Sequence, residues 1–306
     1  MGMYGPLLGE GPVAAPITDS DVLPARREPS RRLAVLGHVE VSVGEVEGAR
    51  TFGVAGRTYD SFMGRYSRPL AEEFANAAGV TSGETAIDVG CGPGALTGVL
   101  VARLGAASVS ACDPSPSFCD DCAARHPGVV VKQGRAEAIP FDTDTADHAM
   151  AQLVLHFVSE PDAAAREMAR VVRPGGGVAA CVWDFDDGMQ MLRAFWDAAL
   201  SIDPQAPDEA RTLRFGRPGE IAALLASAGI EEIEEATLAV TSSYSSFDEL
   251  WHGFLAGVGP AGSYCVSLDR AERDRLRAAL LTTLGSPSGS FTLGAVARCA
   301  TGRVPA

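Results

Sequence analysis

Only one of the 25 basic residues in this 306-residue chain is a lysine, Lys132, and basic residues are outnumbered by 39 acidic ones, for a formal net charge of −14. That excess of acid argues against a nucleic-acid backbone or an anionic membrane surface as the partner. Long apolar runs are missing as well: no stretch of about 18 uninterrupted apolar residues occurs, so a membrane-spanning helix is not expected. The opening residues Met1-Gly2-Met3-Tyr4 lack the basic-then-apolar layout of a secretory signal. The seven cysteines are odd in number and scattered from Cys91 to Cys299, which is not a disulfide framework, and the expected compartment is the cytoplasm. One pair, Cys119-Asp120-Asp121-Cys122, has metal or redox spacing, but no second ligand pair follows to complete a zinc site. It reads as two small residues one turn apart on a helix.

What is present is an alternation of strand and helix. Residues 1–50 carry five prolines and seven glycines with Tyr4 as their only aromatic, a composition with little to bury, and are expected to be a flexible tail with at most a short arm at 35–46. From residue 59 onward the texture changes: Phe62, Tyr66, Leu70, Phe74 and Ala77 recur at helical spacing. Strands are then expected at 85–89, 108–112, 129–133, 146–152 and 178–183, with helices at 95–104, 115–124 and 162–171 between them and a turn at Pro174-Gly175-Gly176-Gly177. Such alternation implies an α/β fold with a doubly wound, mostly parallel sheet, whose ligands bind beyond the carboxyl ends of the strands. Helices at 190–201 and 218–228 and strands at 234–241 and 291–299 follow, bringing the strand count to seven. Between the last two strands lies a helical insertion, read as a lid. The expected organisation is thus a tail at 1–50, a core at 51–241, a lid at 242–290 and a closing strand at 291–306.

The strongest local signal is Ala86-Ile87-Asp88-Val89-Gly90-Cys91-Gly92-Pro93-Gly94, a buried strand entering three glycines at alternate positions ahead of a helix. Glycines there let a ligand approach the backbone. The spacing is not the Gly-x-Gly-x-x-Gly of dinucleotide folds, and Pro93 removes an N–H that a pyrophosphate would use, so a nicotinamide-dependent oxidoreductase is the weaker alternative. No Gly-Lys-Ser/Thr follows, which excludes a P-loop. About 20 residues on, Asp113 closes the second strand where a carboxylate can accept from both hydroxyls of a ribose.

The loop 88–94, Asp113, Arg135-Ala136-Glu137-Ala138-Ile139-Pro140-Phe141 and Arg173-Pro174-Gly175-Gly176 together resemble the ordered motifs of class I S-adenosylmethionine-dependent methyltransferases. Within that class they are similar to the small-molecule group that includes the ubiquinone/menaquinone biosynthesis enzymes. The segment Tyr59-Asp60-Ser61-Phe62-Met63-Gly64-Arg65-Tyr66-Ser67 is similar to the helix that covers the cofactor in that group. The resemblance implies a Rossmann-like fold, S-adenosyl-L-methionine as cofactor, a small-molecule substrate and no nucleic acid, membrane or metal partner. By the same resemblance Gly90 and Gly92 border the methionine part of the cofactor, with Asp88, Cys91 and Leu153 beside them. Asp113 holds the ribose, Pro114 and Ser115 flank the adenine, and the Ala136 backbone meets a ring nitrogen. Gln152 faces the sulfonium, and Tyr59 and Arg65 reach the carboxylate from above. Related sequences often carry Asp where Arg135 stands; Arg has no acceptor for the adenine amino group, so either Glu137 takes that role or the amino group is bound differently.

Methyl transfer from a sulfonium needs alignment and exclusion of water more than acid–base work. His156, just after the fourth strand, is the histidine expected near the reactive end, as a base or substrate contact or else as a packed structural residue. Trp183, Phe185, Trp196, Tyr244, Trp251 and Phe254 are the candidates for an apolar or aromatic acceptor pocket, with core packing as the competing reading. The carboxylates Asp142, Asp144 and Asp147 precede the fourth strand's end rather than sitting at it, so no metal is expected. A cofactor-binding protein without turnover is the non-enzymatic alternative.

Overall fold

The computed structural model describes residues 60–306; the expected tail and arm, and Tyr59, lie outside the described residues. The order of elements follows from burial. The segment Ala86–Val89 (β1) is buried at all four positions, which puts it in the middle of a sheet covered on both faces. Val109–Asp113 (β2) and Ala146–Gln152 (β4) pair with it on either side, Val130–Gln133 (β3) lies outside β2, and Val172–Trp183 (β5) lies outside β4, all parallel. Phe291–Arg303 (β7) runs antiparallel between β5 and Glu231–Tyr244 (β6). The seven strands are ordered β3-β2-β1-β4-β5-β7-β6. Strand order reverses between β1 and β4, which opens a crevice beyond their carboxyl ends.

Helices cover this sheet. Arg65–Ala77 (α1), entered through a π-turn at Asp60–Gly64, buries Tyr66, Leu70 and Phe74. Ala95–Leu104 (α2), Pro116–Arg125 (α3) and Pro161–Val171 (α4) are the crossovers between parallel strands. After β5 come Gln190–Ile202 (α5), the single turn Glu209–Thr212 (α6) and Glu220–Ser227 (α7). Phe247–Leu255 (α8), Gly259–Ser267 (α9) and Arg270–Thr283 (α10) separate β6 from β7, and both α9 and α10 pack on α5. Asp269 starts α10 with a complete capping box through Glu272.

Three departures from the sequence reading have physical causes. The Pro174–Gly177 turn is a bulge inside β5: the pairing slips so that Val172 stays opposite Ala146 while Gly177 faces His148. Gly175 takes φ 79° there and its N–H donates to the Val304 carbonyl, so the added residues turn outward without ending the strand. β6 begins at Glu231 rather than at 234 because its first seven residues have no buried member, which erases the alternation a reader looks for. Helix α9 starts Gly259-Pro260, a proline in its first turn as helices favour, but its glycines hide a helical period. They serve close packing: a Cβ on Gly262 would meet the Gly257 backbone at 2.8 Å.

Candidate ligand-binding cavity

The loop after β1 is shaped by backbone conformation. Gly90, Gly92 and Gly94 all have positive φ, at 73°, 52° and 95°, a region that costs other residues roughly 1–2 kcal/mol each. At Gly90 a Cβ would also lie 2.5 Å from a Val154 methyl, whereas at Gly92 it would enter open space. The N–H groups of Gly90 and Cys91 both donate to the Cys112 carbonyl, tying the loop to the end of β2. From below, His126 Nε2 donates to the Gly94 carbonyl at 2.9 Å.

Asp113, next along β2, is buried and connects two segments of this rim. Its Oδ2 accepts from the Gly92 N–H at 2.9 Å and its Oδ1 from the Ser115 N–H at 2.8 Å. Each oxygen keeps a further lone pair for a ligand hydroxyl. Burial pushes its carboxyl up to about 6 against the pull of those two N–H groups. Asp88, fully enclosed and accepting from the Thr97 hydroxyl at 2.6 Å, is pushed to about 7, by burial first and by the charge of Asp113 in addition.

These residues line one cavity together with Pro114, Ser115, Ala136, Glu137, Gln152 and Leu153. Of the fourteen residues expected at cofactor and catalytic positions, Tyr59 lies outside the described residues, and of the other thirteen all but Arg65 surround the same space. Arg65 does not line it: the guanidinium is held by Glu249 and the Ser243 carbonyl and lies over the Tyr244 ring. The six aromatics expected around the acceptor divide. Trp183 and Phe185 line the cavity; Trp196, Tyr244, Trp251 and Phe254 do not. Phe254 packs behind the wall against Phe62 and Phe195, and the Tyr244 hydroxyl lies 3.1 Å from that of Tyr66 and donates to Met191 Sδ. Core packing takes these four.

Phe62 and Met63 from the π-turn and Ser67 from α1 line the cavity, within the segment expected to cover the cofactor though not singled out there. Sequence reasoning missed Leu192 from α5, Glu209 from α6, and Val258, Pro260 and Ala261 from the start of α9. The helical period around Phe62 was a usable signal; a glutamate in the polar run 203–212 carried none.

Four buried polar atoms at this cavity have no hydrogen-bond partner: Ser67 Oγ, Gln152 Oε1, Trp183 Nε1 and His156 Nδ1. Buried polar atoms are normally paired, so orphans on four residues that line one cavity single those residues out as candidate ligand contacts. Gln152 itself is anchored, with Nε2 donating to the Ser67 carbonyl at 2.8 Å. His156 sits between the Phe157 and Phe185 rings, and burial lowers its imidazole to about 3, so it is neutral at pH 7. Among the described residues no group of three or more His, Cys, Asp or Glu could hold a metal ion, and no helix is long and apolar enough to cross a membrane.

A glycine loop after the first strand, an acidic residue ending the second and a crevice at the reversal of strand order are features by which open α/β sheets bind ligands beyond the carboxyl ends of their strands. The comparisons agree. Residues 87–180 match the family model described as a methyltransferase domain. An uncharacterized methyltransferase of Mycobacterium tuberculosis (strain ATCC 25618 / H37Rv) is 40% identical over 101 residues, 33% of this chain and 40% of that protein. A malonyl-[acyl-carrier protein] O-methyltransferase of Erwinia billingiae is 30% identical over 159 residues, 52% of this chain and 61% of that protein. The chain therefore spans 40% and 61% of the length of these two relatives. The solved YcgJ protein of Bacillus subtilis shares the fold, with a TM-score of 0.51 at 14% identity, over 78% of this chain and 99% of that one. Residues 87–180 of this chain are thus similar to methyltransferase domains, on a fold shared with a solved bacterial protein.

Proposed function

We propose that this protein transfers a methyl group from S-adenosylmethionine to a small, apolar or aromatic metabolite in the cytoplasm. The observation that carries the reading is Asp113: a buried carboxylate at the switch point that pins both neighbouring loops and still has lone pairs for a vicinal diol. The residues fit the rest of the group. Pro114, Ser115, Ala136 and Glu137 offer the adenine a mixed apolar and polar edge, and the open space over Gly92 admits the chain beyond the ribose. The orphan atoms suit a zwitterionic amino-acid end: Gln152 Oε1 can accept from an ammonium, while Ser67 Oγ and Trp183 Nε1 can donate to a carboxylate. That assignment gives Trp183 the donor role expected of Arg65, whose guanidinium is engaged elsewhere.

When bound, S-adenosylmethionine supplies an electrophilic methyl on a sulfonium whose departure leaves a neutral thioether. The chain's tasks are then orientation and exclusion of water. Met63, Phe185, Leu192 and Val258 exclude water, with the 242–290 segment serving as a cap. His156 offers Nδ1 to the acceptor as a neutral hydrogen-bond partner; an imidazole held near 3 is too weak a base to store a proton at pH 7. The test is calorimetry with S-adenosylhomocysteine and with NAD, followed by turnover of a labelled methyl donor over a panel of metabolites. Binding of the first alone and a labelled product support the reading. Binding without any turnover would leave a cofactor-binding protein, and binding of NAD would favour the oxidoreductase.

A further inference from the structure

One carboxylate in the cavity wall is left unused by everything above. Glu209 opens the single-turn helix α6, in a run of polar residues, yet is only 3% exposed. It lines the cavity with His156, Phe185, Leu192, Val258 and Pro260. Its Oε2 accepts from the Trp196 indole N–H at 2.7 Å, and its Oε1 has no hydrogen-bond partner among the described residues. The adjacent Asp208 turns away: both of its oxygens are held by Arg193 and one also caps α6 through the Ala210 N–H. Arg193 in turn pairs with Asp197 as well. The nearest cation is therefore spent on other acids, and Glu209 stands in an apolar wall with one neutral donor and an acceptor atom to spare.

We propose that Glu209 is the specificity residue for the methyl acceptor, and that the acceptor is an apolar, aromatic-sized body carrying a neutral hydroxyl that donates to Glu209 Oε1. The proposal rests on the methyl-transfer reading of this cavity and deepens it. Three features select the chemistry. A carboxylate oxygen on a cavity-lining residue only 3% exposed, with no protein donor, is satisfied by a charge-assisted hydrogen bond from a ligand hydroxyl. An acceptor bearing a carboxylate or phosphate at this point would face like charge in an apolar setting. A cationic amine would share the cavity with the sulfonium of the proposed cofactor, and the other polar group here, His156, is neutral. Burial first, with Asp208 adding to it and Trp196 and Arg193 opposing, raises the Glu209 carboxyl to about 7. The group is thus substantially ionised and short of donors near neutral pH.

The proposal is tested on the full chain, at pH 8, by titrating 1-naphthol, 1-methoxynaphthalene, 1-naphthoate and 1-naphthylmethylammonium with and without saturating S-adenosylhomocysteine. Wild type is expected to bind 1-naphthol at least tenfold more tightly than its methyl ether, and to bind naphthoate least. Glu209→Gln can keep the Trp196 bond through its carbonyl while turning an NH2 donor to the cavity. It is expected to abolish or reverse the naphthol preference without weakening S-adenosylhomocysteine more than about twofold. A merely structural glutamate would not exchange preferences in this way. Equal binding of naphthol and its ether by wild type, tighter binding of the ammonium probe, no binding of any probe, or an unchanged preference in Glu209→Gln would each overturn it. The wild-type ratio decides alone if Glu209→Gln does not fold. Naphthol preference without S-adenosylhomocysteine binding would remove the methyl-transfer reading and leave recognition by Glu209 standing; the converse would do the opposite.

Discussion

The two ends of the cavity are built in opposite ways. The end proposed to take the nucleoside comes from short contiguous segments, 88–94, 113–115 and 135–137, each at the carboxyl end of one of three adjacent parallel strands. Its geometry is a matter of backbone: positive φ at three glycines, two N–H groups on one carbonyl, and one carboxylate bridging two N–H groups. The acceptor end is assembled from the π-turn, the 3-10 turn after β4, the end of β5, α5, α6 and α9, and each contributes only one to a few side chains. The first kind of site is fixed once the sheet register is fixed. The second can be reshaped by single side chains without disturbing the first, and so is where the proposed reading puts substrate choice.

Substitutions that break this division should differ in size. The largest effect is expected for Gly90→Ala, which combines the cost of a positive φ with a Cβ only 2.5 Å from a Val154 methyl. Left-handed strain and overpacking together predict a loss of about 2–4 kcal/mol in chemical denaturation, with S-adenosylhomocysteine binding weakened on the order of 100-fold by calorimetry. Asp113→Ala removes a charge-assisted acceptor and should weaken S-adenosylhomocysteine by roughly 100-fold as well, while leaving the binding of 1-naphthol by the apo chain within about threefold. A large change in naphthol binding would show that the two ends are not independent.

The pH behaviour of the nucleoside end sharpens the same contrast. Asp113 and Asp88 have folded-state values of about 6 and about 7, above the ordinary 3.8. The folded state then holds their protons more tightly than the unfolded chain does. That stabilising contribution is full below about pH 4 and is lost as pH rises through 6 and 7. Asp88→Asn, which can still accept from Thr97, is expected to melt higher than wild type at pH 8, by roughly 5 °C, and by much less at pH 4.5. Affinity runs the other way: S-adenosylhomocysteine should bind more weakly as pH falls from 8 to 5 and Asp113 loses its charge. Asp88 faces it from β1 and titrates in the same window, whereas His156 stays neutral throughout.

The smallest effect is expected for Arg65→Ala. Its partner Glu249 is held well below the usual carboxylate range, to about 2, by the Arg65 and Ser245 hydrogen bonds, but the pair is partly exposed and such pairs contribute about 1 kcal/mol or less. S-adenosylhomocysteine affinity within threefold of wild type would agree with the placement of Arg65 outside the cavity. A tenfold loss would restore the role that the family resemblance implied for it.

This contrast also accounts for what the sequence disclosed. β1, β4 and α8 are readable because buried runs and helical periods are local properties, and the glycine loop and Asp113 are readable because backbone approach and a strand-end carboxylate leave fixed residue types. Glu209 left no trace. A glutamate beside Asp208 in a polar stretch looks solvated until α5 brings Trp196 against it. Arg65 lies off the cavity for the converse reason: a guanidinium suited to a carboxylate pairs with Glu249, 184 residues away, a contact that no local pattern announces. The acidic start of β6 hid the strand's first residues, and the glycines of α9 hid that helix, because edge exposure and close helix packing both suppress hydrophobic periodicity.

The central claim, that the switch-point cavity takes an S-adenosyl ligand through Asp113, is tested most directly by calorimetric titration of S-adenosylhomocysteine into the wild-type chain and into Asp113→Ala at pH 8. The account predicts one site per chain, a loss of roughly 100-fold in the variant and no heat from NAD. Equal affinities in the two proteins, or binding of NAD in place of S-adenosylhomocysteine, would contradict it.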